Sequence, residues 1–144
     1  MSQMVHVGFP ATAFFSRSYD ETLNLVRESR DYLRDRGAAD RTDLDPIVGL
    51  AWGAEISRLT TRLTNLMAWM LLQRAVHGGE ITVVEACDQA PALGSIKVCL
   101  EPACIDPARL PTELGELLDR SARLYQRIAR LDEMVRRDVA NDTE

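Results

Sequence analysis

One stretch governs what this chain can fold into. From Pro46 to the Gly78-Gly79 pair the sequence runs without an internal proline. Asp45 is a suitable N-cap, and Pro46 fits the first helical position, where its missing N–H is not needed. The span is about 32 residues, which predicts a helix ~48 Å long. Within it Trp52, Ile56, Leu59, Leu63, Leu66 and Met70 recur at alternating spacings of four and three, a heptad seam. A helix of this length cannot bury such a seam by itself, so other helices must cover it.

A second segment supplies a partner. Leu110, Leu114, Leu117, Ser121, Leu124, Ile128, Leu131 and Val135 keep the same period, and Leu118 and Tyr125 widen the stripe beyond a two-stranded seam. Pro111 suits the start of this last helix. A first helix is expected from Tyr19 to about Arg36, with Ser18 as its N-cap and Tyr19, Leu23, Val26 and Leu33 on its inner face. Gly37 reads as its stop, and "GAADRTDLD" as a polar loop. "TVVE", Thr82 to Glu85, has the pattern of a capping box opening a short helix to about Gln89. Residues 90–110, with Pro91, Gly94, Pro102 and Pro107, read as a long connection in which "SIKVCL" is at most a small extended piece. The fold expected is all-α: an antiparallel three-helix bundle over residues 19–138 with one short extra helix, a loose arm at 1–18 and a tail at 139–144. The apolar end of the long helix, Leu66 to Leu72, asks for cover on a second side, which a neighbouring helix or a second copy in a homodimer supplies.

Charge and cysteine usage narrow the function. Seventeen basic against 22 acidic residues give a net charge of -5, which disfavours generic binding to nucleic acid or anionic membranes. "MSQMVHVGFPATAFF" lacks a basic leader region, and no apolar run approaches the ~18 residues of a membrane span, so the cytoplasm is the expected compartment. Cys87, Cys99 and Cys104 are odd in number, and their spacing matches no common zinc pattern, even with His6 or His77 as further ligands. A redox or metal role for them is the weaker reading beside plain buried or loop thiols. No nucleophile–base order, paired-carboxylate pocket or phosphate loop is legible, so neither an enzyme nor a cofactor is expected.

Three clusters stand out. Glu55, Arg58 and Arg62 share one side of the long helix at i, i+3 and i+7. They are either a solvated face, a ligand-binding pair, or buried forks on carboxylates of the last helix, Asp119 or Asp132, that fix register. The last is the expectation carried forward. Thr60, Thr61 and Thr64 are poor helix formers, suited to close helix approach or to bonding their own backbone. Phe9, Phe14 and Phe15, all the phenylalanines of the chain, either pack on the bundle end or form a recognition segment, and Trp69 is a further candidate for partner contact. His77, beside the helix stop, suits the negative end of the dipole.

"EISRLTTRLTNLMAWMLLQRAVHGGEIT" followed by "LPTELGELLDRSARLYQRIARLD" resembles the alphaproteobacterial RcdA family, the regulators of CtrA degradation. The two segments cover about a third of the chain. The resemblance implies a dimeric cytoplasmic three-helix bundle acting as an adaptor. Such an adaptor binds ClpX once CpdR has primed it, and recruits cargo directly or through a cyclic-di-GMP-binding adaptor. The family prototype also carries a flexible tail beyond its last helix, whereas few residues follow Val135 here, which puts tail-dependent tethering in doubt. The alternative is a dimeric helical scaffold for another regulatory protein.

Overall fold

The computed structural model describes residues 12–142, and the side chains of residues 14–142. The described residues are helical and contain no strand. Three long helices, α1 (Thr12–Tyr32), α3 (Pro46–His77) and α6 (Thr112–Asp142), pack against one another pairwise. Shorter ones are α2 (Ala38–Thr42), α4 (Val83–Gln89) and α5 (Lys97–Leu100).

The caps expected for α3 and α4 form as the sequence dictates. Asp45 accepts from the Val48 amide at 3.0 Å with Pro46 at the first turn. Thr82 and Glu85 close the reciprocal box at 3.1 and 2.8 Å. Helix α3 ends at Gly78, and Gly79 takes a left-handed φ of 76°, a conformation open to glycine at little steric cost.

Helix α1 corrects three expectations. It starts at Thr12 rather than Tyr19, so residues 12–18 of the expected loose arm are helix, and Ser18 lies buried within it instead of capping it. Its most buried line is Ser18, Thr22, Leu25, Ser29 and Tyr32; of the expected residues Tyr19 and Val26 pack beside it, partly buried, and Leu33 turns outward. Small hydroxyl residues permit this, because Thr22 satisfies its own hydroxyl on the Ser18 carbonyl at 2.8 Å. Gly37 does not stop the helix either. The chain passes through a π-helical turn, Leu33–Gly37, into α2. A Cβ on Gly37 would sit 3.4 Å from Leu33 and 3.7 Å from the Trp52 ring, at ordinary contact distance.

The direction of α6 corrects the simple antiparallel bundle. Glu21, Glu28 and Arg36 of the α1 region pair with Arg127, Arg120 and Glu113, so α1 and α6 run antiparallel. Arg62 meets Leu118 and Ser121 while Trp69 meets Asp132, so α3 and α6 run parallel. The physical reason is the connection 78–111, which is long enough to return along α3 before α6 begins. It is built of α4, a 3₁₀ turn at Leu93–Ser95, α5 and a second 3₁₀ turn at Pro107–Arg109. "SIKVCL" is thus largely helical. Helix α6 continues to Asp142, past the expected boundary at 138.

Candidate functional site

The three charges singled out on α3 all point inward: Glu55, Arg58 and Arg62 are 1, 8 and 5 % exposed. Their partners differ from those expected. Arg62 donates from Nε to the Cys99 carbonyl at 2.8 Å, and from one terminal nitrogen to the Leu118 carbonyl at 3.3 Å and Ser121 Oγ at 3.2 Å. Arg58 donates to the Glu101 carbonyl, while its Nε lies 3.0 Å from Glu55 Oε1 as an ion pair. The other Glu55 oxygen accepts from the Cys104 amide at 2.9 Å. The two guanidinium groups therefore serve carbonyls at the C-terminal end of α5, which a helix that short cannot satisfy itself. Burial, and then the neighbouring Arg58 charge, pull the Arg62 pKa below the usual guanidinium range.

Asp119 and Asp132 take no part in that cluster. Asp119 is exposed and pairs with Arg123 one turn on, at 2.6 Å. Asp132 is 2 % exposed and centres a second cluster. It accepts from Trp69 Nε1 at 3.0 Å, from the Leu93 amide at 2.9 Å and from Arg136 at 3.1 Å. Arg136 also donates to the Cys87 and Ala90 carbonyls at the end of α4, at 3.1 and 2.9 Å. The Tyr125 hydroxyl donates to the Leu93 carbonyl at 2.7 Å, and burial pushes its pKa far up. Leu93 is thus held at both its amide and its carbonyl. The roles of Arg136 and Tyr125 were not read from the sequence: apart from the pairing of Arg136 with Asp132 one turn before it, their partners are main-chain atoms, which no residue type marks.

Trp69, a candidate for partner contact, is buried against this chain's own Asp132. Its indole nitrogen needs that acceptor, and the requirement keeps the ring inside. Phe15 packs edge-on to His77 with ring centroids 5.0 Å apart and lies 6.0 Å from Tyr19, which is the bundle-end packing weighed above. Phe14 is half-buried, and Phe9 lies outside the described residues. Thr60 and Thr61 bond their own helix, to Ile56 and Ser57 at 2.9 Å. Cys87 is half-buried, Cys99 buried and Cys104 exposed; burial is the main cause that raises all three thiol pKa values, so each stays protonated near neutrality. Among the described residues no group of three or more His, Cys, Asp or Glu side chains is placed to hold a metal. No described helix is long and apolar enough to cross a membrane.

Between the pinned connection and α6 runs a groove. One part, about 500 Å³, is lined by Gly94, Leu100, Ala129, Arg130 and Glu133. The next, about 410 Å³, is lined by Pro102, Leu118, Asp119 and Ala122. Leu100 and Gln126 border both, so the two parts adjoin. Its lining mixes exposed Leu100, Arg130 and Glu133 with the buried charged groups of Glu55, Arg62 and Asp132.

In this helical chain both buried polar clusters chiefly bond main-chain atoms of the connection between α3 and α6. Residues 8–144 match the family described as "Protein of unknown function (DUF1465)", and the chain belongs to that family. Among solved structures it is similar to the crystal structure of RcdA from Caulobacter crescentus CB15, at 34 % identity and a TM-score of 0.67. The match covers 87 % of this chain and 92 % of that one, so the likeness first seen in two segments extends across most of the chain. No curated protein sequence matches the chain.

Proposed function

We propose that this chain is a non-enzymatic cytoplasmic adaptor that self-associates and promotes regulated ClpXP proteolysis, by binding ClpX primed by CpdR together with cargo or a cyclic-di-GMP-binding adaptor. The similarity to RcdA over 87 % of the chain carries the reading. Three helices packed as a bundle supply a rigid frame, and the groove between α6 and the 90–107 connection supplies the contact surface. Leu100 stands 38 % exposed at the junction of its two parts, a poor place for an apolar side chain unless something covers it. Half-buried Phe14, near the start of α1, is a second contact.

The test is reconstitution. ClpXP, CpdR and a family cargo are incubated with and without this protein, and cargo loss is followed in time. Wild type accelerates degradation, and Leu100→Asp reduces the gain at least about tenfold, since a desolvated carboxylate at a contact costs more than 1.4 kcal/mol. An unchanged rate with wild type present sinks the adaptor reading for that cargo. Full activity of Leu100→Asp moves the contact away from the groove.

A further inference from the structure

The long helix α3 carries no exposed charge between Pro46 and Gln73. Its three ionisable residues in that span, Glu55, Arg58 and Arg62, are the buried ones. The outward side is instead apolar or small: Ile47 and Leu50 stand 67 and 74 % exposed, and Leu71 50 %. On a chain of net charge -5 that is an unusual face, about 42 Å long by the helical rise.

Two further observations say what would cover it. The first is its order. From the middle outward, Thr61 is flanked by Ser57 and Thr64, then by Ala54 and Ala68, then by Leu50 and Leu71, all on one side of the helix. From Leu50 to Leu71 the pattern reads the same in both directions, so over that span an antiparallel copy presents large against large and small against small. That is what an isologous two-fold contact requires. The ends agree. Asp43 and Asp45 precede the helix while Arg74 and His77 lie in its last turn, so an antiparallel copy brings acidic end to basic end. A copy approaching by any charged face meets a molecule of its own sign; this face carries none.

The second observation is the pair Gly49 and Gly53, one turn apart at the edge of the same face. A Cβ on either would meet nothing within 4 Å. Nothing inside the chain therefore asks for glycine, although glycine within a helix costs about 0.5–1 kcal/mol relative to alanine. Glycines at this spacing beside Ser57 let a second helix backbone come close.

We infer that the outer face of α3 seats a second copy of this chain, antiparallel, with the two-fold axis at Thr61. This rests on the self-association proposed above and adds its face and register. Sedimentation and oxidative cross-linking test it on the full chain, with Cys104→Ser removing the exposed thiol. The wild type sediments as a dimer. Ala54→Glu weakens the dimer about a hundredfold while helical content is unchanged, because residue 54 is exposed in the single chain. Gly53→Leu weakens it likewise, by bulk. Ala54→Lys with Ala68→Glu restores association, since the two positions oppose each other across the axis. Thr61→Cys cross-links to itself. Leu50→Cys does not, whereas Leu50→Cys combined with Leu71→Cys does. A monomeric wild type overturns both self-association and this face. A dimer that ignores Ala54→Glu and Gly53→Leu, or cross-links through Leu50→Cys alone, leaves self-association standing and overturns the face or its register.

Discussion

Arg62 is the residue that best separates two ways of holding a charge inside a protein. It was expected to find a carboxylate, and it finds three neutral oxygens, those of Cys99, Leu118 and Ser121. Glu55 is the anion of the cluster, 3.0 Å from Arg58. Losing the anion should therefore hurt more than losing one cation. Glu55→Gln keeps an oxygen for the Cys104 amide but leaves two buried guanidinium groups without a counter-charge, and is expected to cost about 3–5 kcal/mol. Arg62→Met strands the Cys99 carbonyl but also removes a buried charge, and is expected to cost about 1–3 kcal/mol. Urea unfolding at neutral pH measures both. A larger loss for Arg62→Met than for Glu55→Gln contradicts the carbonyl-clamp account. Ser29 gives a prediction of the opposite sign. Its hydroxyl is buried with no hydrogen-bond partner, so Ser29→Ala is expected to stabilise the fold by about 1 kcal/mol, seen as a higher midpoint with an unchanged slope.

At the scale of elements, α3 and α6 were legible because most residues of their apolar seams are also buried. Trp52, Leu59, Leu63, Leu66 and Met70 are buried, as are Leu114, Leu117, Leu124 and Ile128. Helix α1 was legible only in part. Its inner line is mostly Ser and Thr, and the apolar period that marks a core face is absent from such a line. Besides the core contacts of Leu25 and Tyr32, α1 and α6 are joined by a ladder of exposed ion pairs, Glu28–Arg120 at 2.7 Å and Glu21–Arg127 at 2.7 Å, whose partners lie far apart in sequence and carry no local signature. The polar clusters failed to show for a like reason: Arg62, Arg136 and Tyr125 each reach main-chain carbonyls far off in sequence, and only the Asp132–Arg136 pair, one turn apart, is local. The ladder has a pH signature. The hydrogen bond from Arg120 holds the Glu28 carboxyl below its ordinary value of 4.5. A depressed folded-state value contributes stability above the unfolded pKa and loses it as pH falls through the folded one. The pair is mostly exposed, so Glu28→Gln is expected to cost less than about 1 kcal/mol at pH 7. Well below pH 4.5 the two proteins should melt alike; a difference that persists there assigns the effect to packing instead of charge.

Over the whole molecule, the decisive fact is that α6 runs parallel to α3. Three helices on short loops would alternate in direction, and only a connection that doubles back permits this arrangement. Such a segment, rich in proline and poor in regular structure, is an unlikely thing to stay in place by apolar contact alone. It is fastened at two points: Arg58, Arg62 and Glu55 hold residues 99–104, and Asp132, Arg136 and Tyr125 hold residues 87–93. The groove proposed for partner contact has that segment as one wall, and Glu55, Arg62, Asp132 and Arg136 line it as well as holding that wall in place. The two fastenings are separate, which makes them separately removable. Asp132→Asn puts an amide nitrogen where Asp132 accepts from the Leu93 amide or from Trp69, and it discharges the partner of Arg136. Losing a charged acceptor is worth about 1.5–3 kcal/mol, so amide exchange at Leu93 should quicken roughly 10- to 100-fold. Exchange at Cys104, whose amide is held by Glu55, should stay near the wild-type rate, and so should exchange along the α1–α6 ladder. Quickening at Leu93 and Cys104 together would mean that the connection opens as one unit, and would refute two independent fastenings.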